Sequence, residues 1–324
     1  MHTGWRTSGW PEPLRAYAAR RLVAAVGVTL GVTVATFLLL HLEPGDPARL
    51  VLGEHATPQA VEALRRSWGL DRSLPSQFGR FLSGLFQGHL GRSYVYGVSA
   101  TTLIGQRIGV TLALVALATL FAVVISVPLA TVAAARKERP VDHLVRGLSV
   151  LGLGMPAFWF GIVLIEVFAV HLKLLPVGGW GSSAGQHLEG LILPALTASF
   201  AIVPILVRSL RVGMAEVLDA EFIATVRSKG VGEGRVLFAH VARNALIPTL
   251  TLLGINVAFL VGSTVIVEQV FDLNGLGSLL LDAITNRDFP VVQAVTLVLA
   301  AIVVIVNLLT DLLAARLDPR IRLR

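Results

Sequence analysis

The sequence predicts an all-α membrane protein of six transmembrane helices, with both termini cytoplasmic. Three observations predict it: a composition too apolar for a water-soluble fold, six long charge-free runs, and an uneven sharing of basic residues between alternate loops. Of 324 residues, 54% are hydrophobic and only 15% are charged, against about 25% charged in an ordinary soluble domain. Mean hydropathy is +0.75. A soluble fold of this size has too little interior to hide that much apolar surface, and a disordered chain would be poor in apolar residues. Cysteine is absent, which removes disulfides, thiolate metal sites and cysteine nucleophiles together. Net charge is +7, and only three of the 27 basic residues are lysine (Lys137, Lys173, Lys229). In so apolar a chain a basic excess points to a membrane rather than to nucleic acid.

A spanning helix needs about 20 apolar residues to cross roughly 30 Å of hydrocarbon. Runs free of Asp, Glu, Lys and Arg occupy Leu22 to Leu42, Ile108 to Ala135, Gly147 to Ile165, Gly190 to Val207, Asn244 to Val267 and Phe289 to Thr310, each 18 residues or longer. Buried helices of a soluble protein would be shorter and carry a polar face. Barrel strands would alternate rather than run continuously apolar. The first run is too long for a signal peptide, and Glu43-Pro44-Gly45-Asp46-Pro47 follows it where a small-residue cleavage site would stand. It is read as a retained helix.

Basic residues set the orientation. With the N-terminus inside, segments 1–21, 136–146, 208–243 and 316–324 hold 18 of the 27, and the outer segments hold nine. Seven of those nine lie in one long outer loop, residues 43–107. The whole chain, 1–324, is read as a single transmembrane domain. Pro128, Pro156, Pro194, Pro204 and Pro248 fall within or at the ends of spans, where each removes a backbone donor and disturbs the preceding turn. Ordinary kinks and functional hinges are both compatible with that placement.

The outer loop is too long for a plain connection. Thr57-Pro58 reads as an N-cap with proline at the first helical position, opening a short helix to about Trp68. Phe78, Phe81, Leu82, Leu85 and Phe86 recur at helical spacing, which predicts an amphipathic helix on the membrane surface or against the bundle. Gly27 and Gly31 are spaced to let another helix approach the first span closely.

Several chemistries are missing. None of the three lysines follows a glycine, so the chain has no phosphate-cradling Gly-Lys-Ser/Thr loop. No two histidines stand four apart, which removes the zinc-peptidase helix. Gly181-Ser182-Ser183-Ala184-Gly185 has the spacing of a nucleophile elbow, with His187 nearby, but lies in a short outer loop without the strand-to-helix turn that pattern requires. Gly152-Leu153-Gly154-Met155-Pro156-Ala157 mimics a dinucleotide turn from inside a span.

The inner segment 208–246 carries the most information. Phe222, Ile223 and Val226 are spaced to share a helical face, Arg227 and Lys229 load the end of that helix, and Gly230 is placed to end it. A second helix would run to Asn244 and enter the membrane at Pro248. The apolar face would be odd against water, so the loop is read as a short amphipathic helix that meets a partner protein.

This segment resembles the cytoplasmic coupling loop of the permeases of binding-protein-dependent ABC importers, and is most similar to the dipeptide and oligopeptide subfamily. Val226-Arg227-Ser228-Lys229-Gly230, His240, Arg243-Asn244-Ala245 and Pro248 carry the resemblance. Ala18, Arg20 and Arg21 before the first span and Pro44-Gly45-Asp46-Pro47 after it agree with that subfamily. So do Leu175-Pro176-Val177-Gly178-Gly179, Val267-Glu268-Gln269-Val270-Phe271, Gly275-Leu276-Gly277 and Arg287-Asp288-Phe289-Pro290-Val291-Val292. Two positions depart. Ala224-Thr225-Val226 stand where the wider family begins its loop with Glu-Ala-Ala, the acidic residue here being Glu221, and Asn274 replaces a proline before Gly275.

The resemblance implies a type I importer permease fold and half of a translocation pathway for di- or oligopeptides. It implies four kinds of partner besides membrane lipid: a homologous second permease, two cytoplasmic ATPases that hold ATP and Mg, and an extracytoplasmic substrate-binding protein. It implies a prokaryotic inner membrane as the location. The chain itself is expected to be no enzyme, to bind no cofactor or metal and to bind no nucleic acid. The coupling residues carried over are Glu221, Phe222, Ala224, Thr225, Val226, Arg227, Lys229, Gly230, Arg243 and Asn244. Hinge or pathway candidates are Pro248, Asn256, Glu166 and Glu268. Glu166, with His171 just beyond it, is a carboxylate near membrane depth that could meet a peptide amino terminus or lie at the interface. Asn256 and Asn307 read as interhelical hydrogen-bonding groups. Three rivals stay open: a permease for nickel or another small solute, a self-sufficient secondary transporter, and an intramembrane hydrolase. The second would show internal repeats and buried ion-coupling carboxylates, and the third a paired nucleophile and base at depth.

Overall fold

The structure, a computed structural model, describes residues 14–42, 45–53 and 55–317. Every long element among them is helical, and the one β feature is a single antiparallel bridge between Arg92 and Ser99. The first uncharged run lies in α1 (Leu14–Leu42). The outer loop then supplies α2 (Pro47–Leu52), α3 (Pro58–Trp68) and α4 (Leu74–Phe86). Asp46 and Thr57 accept hydrogen bonds from the first turns of α2 and α3, with proline at the start of each helix. The cap-then-proline reading at Thr57-Pro58 therefore holds, as does a helix through the Phe78 to Phe86 repeat.

The second run is the core of α5 (Ala100–Ala135), 36 residues without a break despite Pro128. At 1.5 Å per residue it is about 54 Å long, well beyond roughly 30 Å of hydrocarbon, so one or both of its ends must project from the bilayer. The third and fourth runs are broken rods. α6 (Pro140–Gly154) and α7 (Ala157–Leu164, continued by a π-helical turn Ile165–His171) meet at 104°, and α8 (Ala184–Phe200) and α9 (Val203–Leu218) meet at 57°. A proline stands at each break. Pro156 has no N–H to continue α6, and Met155 before it is extended (φ −97°, ψ 132°), as crowding by a following proline ring requires. Pro204 sits in the first turn of α9, where its missing N–H costs nothing. Pro194 and position 248 lie inside unbroken helices, so the five prolines divide into two breaks and three interior positions.

α10 (Glu221–Ser228) and the single turn α11 (Glu233–Arg235) follow, and a π-helical turn leads into α12 (Arg243–Val270). Then come α13 (Leu276–Thr285) and α14 (Phe289–Leu317). Among the described residues three helices are long and apolar enough to cross a membrane by themselves, within α5, α12 and α14. Each bent pair has the length and apolarity of one more, while α1 contains the shorter apolar stretch Val26–Leu38.

α5 packs chiefly on α8 and α9, α12 on α14, and α1 on α14. Small residues mark the closest approaches, as in other membrane bundles. A Cβ at Gly161 in α7 would lie 2.9 Å from the Thr197 methyl in α8, and one at Gly254 in α12 would collide with Thr310 in α14. The expected close approach at Gly27 and Gly31 is not made within this chain, where neither glycine has a neighbour within 4 Å of a built Cβ. α1 instead buries Thr33 and Phe37, which stand on a different face.

Candidate functional site

Segment 208–246 carries a short helix, α10, held on a platform. α10 has an acid, Glu221, in its first turn and Arg227 in its last, the order that favours the helix dipole. Gly230 has φ +75° and its N–H bonds the Arg227 carbonyl at 2.9 Å, so the chain leaves the helix through the left-handed conformation that glycine adopts most cheaply. Arg227 then reaches forward as a fork. Its Nε donates to Glu233 Oε1 at 2.7 Å and its Nη2 to Oε2 at 3.1 Å, closing the turn between α10 and α11. The pair is exposed, so it contributes geometry more than stability.

The expected apolar face divides in two. Ile223 is fully buried, in a cluster with Ala130 and Ala134 of α5, Leu210 and Met214 of α9, and Val236, Val241 and Ala245, and Val226 packs at its edge. These two side chains turn toward the chain's own bundle because α5 and α9 offer them an apolar wall. Phe222 stays out, 46% exposed, and Phe238 beyond α11 is 60% exposed. Glu221, Ala224, Thr225, Arg227, Lys229 and Gly230 are also exposed. Asn244 is exposed and donates to the His240 carbonyl at 2.6 Å. The side chains of Arg243 and Pro248 lie outside the described residues. Lys137 at the end of α5 donates to Asp219 at 2.9 Å, pinning the loop's entrance. Phe238, Glu233 and Asp219 were not singled out from the sequence. Each lies within ten residues of α10, the only signal the sequence offered for them.

A second device stiffens the same end. Asp142, at the start of α6, is wholly buried and takes a two-pronged bond from Arg211 of α9, Nε to Oδ1 at 2.8 Å and Nη2 to Oδ2 at 2.5 Å. The Glu138 backbone N–H donates to the same carboxylate at 3.0 Å. The Arg211 hydrogen bond holds the Asp142 carboxyl down at about 2, against the opposing push of burial. Two charge-assisted bonds with the planar fork fix direction as well as distance, so α6 and α9 are clamped at the end from which the chain leads on to α10.

At the opposite end the remaining motifs converge. Glu268 is fully buried. It accepts from the Thr111 hydroxyl of α5 at 2.7 Å and from the Ser278 N–H in the first turn of α13 at 2.8 Å, while Thr111 in turn accepts from the Leu276 N–H at 2.8 Å. The carboxylate thus satisfies amides that a helix start leaves without partners. Gly275 and Gly277 are glycine because the carboxylate occupies the space of any side chain. A Cβ at Gly277 would also come within 2.6 Å of the Val265 Cα. Gly178 is pressed on the Phe271 carbonyl, which accepts from the Gly179 N–H at 3.1 Å. Asp288 is buried as well. It accepts from the Ser93 hydroxyl and from the Tyr94 N–H at 3.0 Å, tying the outer loop to the start of α14.

Of the pathway candidates, Glu268 has no surface open to a passage in this conformation. Asn256 donates to the Leu252 carbonyl of its own helix at 2.7 Å rather than to a neighbouring helix. The expected interhelical bond is not made among the described residues. Glu166 is 59% exposed, with His171 Nδ1 3.3 Å from its carboxylate. No group of three or more His, Cys, Asp or Glu among the described residues is arranged to hold a metal ion.

Residues 126–323 match the family described as the binding-protein-dependent transport system inner membrane component, and residues 14–115 match the N-terminal part of the same kind of membrane component. The chain is 38% identical over 309 residues to a protein of Sinorhizobium fredii named probable peptide ABC transporter permease protein y4tP, covering 94% of this chain and 99% of that one. It is also 38% identical over 306 residues to the glutathione transport system permease protein GsiC of Pectobacterium atrosepticum, covering 94% and 98%. A charge-poor helical chain with a glycine-capped helix held at one end, matched across nearly its whole length, belongs to the inner-membrane permease components of binding-protein-dependent ABC transport systems.

Proposed function

We propose that this chain forms half of the translocation pathway of a prokaryotic ABC importer for peptides, and that α10 is the part its ATPase grips. The peptide assignment is supported by the names of the relatives, one a peptide and one a glutathione permease. The observation that carries the coupling role is the split face of α10, with Ile223 buried in the chain's own bundle and Phe222 left outside. A helix anchored on one side and sticky on the other transmits a push. In this reading the partner contacts Glu221, Phe222, Ala224, Thr225, Arg227 and Lys229, while Val226 and Gly230 hold the helix in shape. Arg243 and Asn244 root it in α12, and position 248 begins the span.

The rest of the assembly follows from that role. The chain is one domain, 1–324, with six spans, both termini cytoplasmic, residues 43–107 outside and 208–246 inside. α1, the two bent pairs, α5, α12 and α14 are its six spans. A second homologous permease, two ATPases that hold ATP and Mg, and an extracytoplasmic binding protein complete it. The chain itself catalyses nothing. A coupling free energy between hydrolysis and transport requires only that the ATPase contact α10 differently in two states. Of the pathway candidates, Glu166 is best placed at the membrane interface, and Asn256 and Glu268 act within the scaffold.

Because the chain has no cysteine, Phe222→Cys creates a unique thiol. In inside-out vesicles of the assembled importer it is expected to react with a membrane-impermeant maleimide, and to be shielded when the ATPases are bound. Reaction from the outer face, or no shielding by the ATPases, would overturn the reading.

A further inference from the structure

A groove of about 380 Å³ runs between α6 and α9 and has no role in the coupling contact. Its two walls are antiparallel and graded. Toward the middle of the spans it is lined by Val150, Leu153 and Pro204, and toward the cytoplasmic end by Arg146, Arg208 and Arg211, with Val145, Val207 and Val212 beside them. Arg211 is spent on Asp142, and Arg146 leans on Asp142 and Glu138 at 3.9 Å each. Arg208 is exposed and has no acidic partner among the described residues. Val150 and Leu153 are 69% and 52% exposed, so the apolar wall is open to whatever lies beside the chain. Leu153 is seven residues from Arg146, about 10 Å along a helix. That is the layout of a phospholipid: a phosphate at the cationic end and the first part of an acyl chain along Val150, Leu153 and Pro204.

We propose that this groove binds one anionic phospholipid of the cytoplasmic leaflet, its phosphate on Arg208 and Arg146 and one acyl chain between α6 and α9. Cation-bearing pockets between spans on that side favour anionic headgroups. A zwitterionic lipid fills the apolar part equally well but presents its own cation to the arginines. The lipid would wedge directly beside the Asp142–Arg211 clamp, and so brace the end from which α10 is suspended. The leaflet rests on the proposed orientation. Binding does not, so the test reads binding without transport.

Ser149 lines the same groove, and Ser149→Cys is a unique thiol that accepts a benzophenone label. The labelled full-length chain is photolysed in bilayers of phosphatidylglycerol or phosphatidylcholine. A phosphatidylglycerol adduct is expected to exceed the phosphatidylcholine adduct. Arg208→Gln is expected to lower it about fivefold, the effect of one basic residue at an anionic surface. Arg72→Gln, which removes the same charge from the outer loop, should leave it unchanged. Both arginines are exposed, so folding is not at risk, and an unchanged thermal melt checks that. Equal adducts from the two lipids, or no effect of R208Q, would overturn the proposal. So would loss of the adduct in millimolar inorganic phosphate, which would mark a soluble-anion site. In the assembled importer, capture of a protein chain in place of lipid would show that a partner subunit covers the groove, and would overturn it too.

Discussion

Truncating Ile223 to alanine should free α10 from its platform without touching the surface offered to a partner. Ile223 is the one fully buried residue of an eight-residue helix, and a helix that short has no stability of its own in water. Its docking therefore rests mainly on this side chain, with Val226 at the cluster's edge and the Lys137–Asp219 and Arg227–Glu233 pairs as tethers. Truncating a fully buried Ile costs about 2–5 kcal/mol. Taking about 3 kcal/mol, local opening of α10 becomes roughly a hundredfold more frequent, at 1.4 kcal/mol per decade. Hydrogen exchange of the amides of residues 221–230 in the purified chain reads this opening directly. I223A should accelerate exchange there by about that factor, while amides in the middle of α5 and α14 keep their rates. Phe222→Ala is the counterpart. It should leave exchange in the isolated chain unchanged, yet abolish peptide-stimulated ATP hydrolysis in the assembled importer. If I223A leaves exchange within twofold of the native chain, or if F222A loosens α10 as much as I223A does, the separation of anchor from contact face is wrong.

Other perturbations test other parts. Gly230→Val places a β-branched residue at φ +75°. It should cost about 1–2 kcal/mol at the helix end and lower ATP-driven uptake, whereas Gly230→Asn, which tolerates that conformation, should retain most of it. Asp142→Asn removes the charge that Arg211 was placed to meet. By the cost of breaking a buried pair, about 3–5 kcal/mol, it should lower the midpoint of thermal unfolding. The same clamp predicts a pH dependence. Its carboxyl is held down at about 2 by Arg211, below its unfolded value. Its contribution is thus complete above pH 4 and is lost as pH falls from about 4 toward 2. The acid limb of a stability profile should show that loss in the native chain and not in D142N. At the outer end, Gly277→Ala would drive a methyl toward the Val265 backbone and the Glu268 carboxylate. It should prevent accumulation of folded chain in the membrane, while Gly105→Ala, where a Cβ meets nothing within 4 Å, should be silent.

Much of this molecule was legible in one dimension. Continuous apolar runs need no tertiary information, because the lipid imposes their length and forbids charge along them. The helix end at Gly230 was legible for a local reason as well, since left-handed backbone is a property of the residue and its immediate neighbours. The capped start at Thr57 belongs to the same class, whereas the cap at Asp46 was found only in the structure.

What the folded chain alone decided is which residues at a distance share a space. Phe222, Ile223 and Val226 look alike in sequence, and only the wall built by α5 and α9 turned two of them inward and left one outside. Glu268 read as a motif residue and a pathway candidate until Thr111, 157 positions earlier, and the first turn of α13 closed around it. Asp142 and Arg211 were two charges in different inner loops, and packing made them one clamp. The broken third and fourth uncharged runs fall between the two cases. Proline announces a disturbed turn from sequence, but bends of 104° and 57° are set by the helices each half must pack against. Local backbone preference and the demand of lipid are written residue by residue, whereas pairing of buried polar groups depends on where the whole bundle brings them.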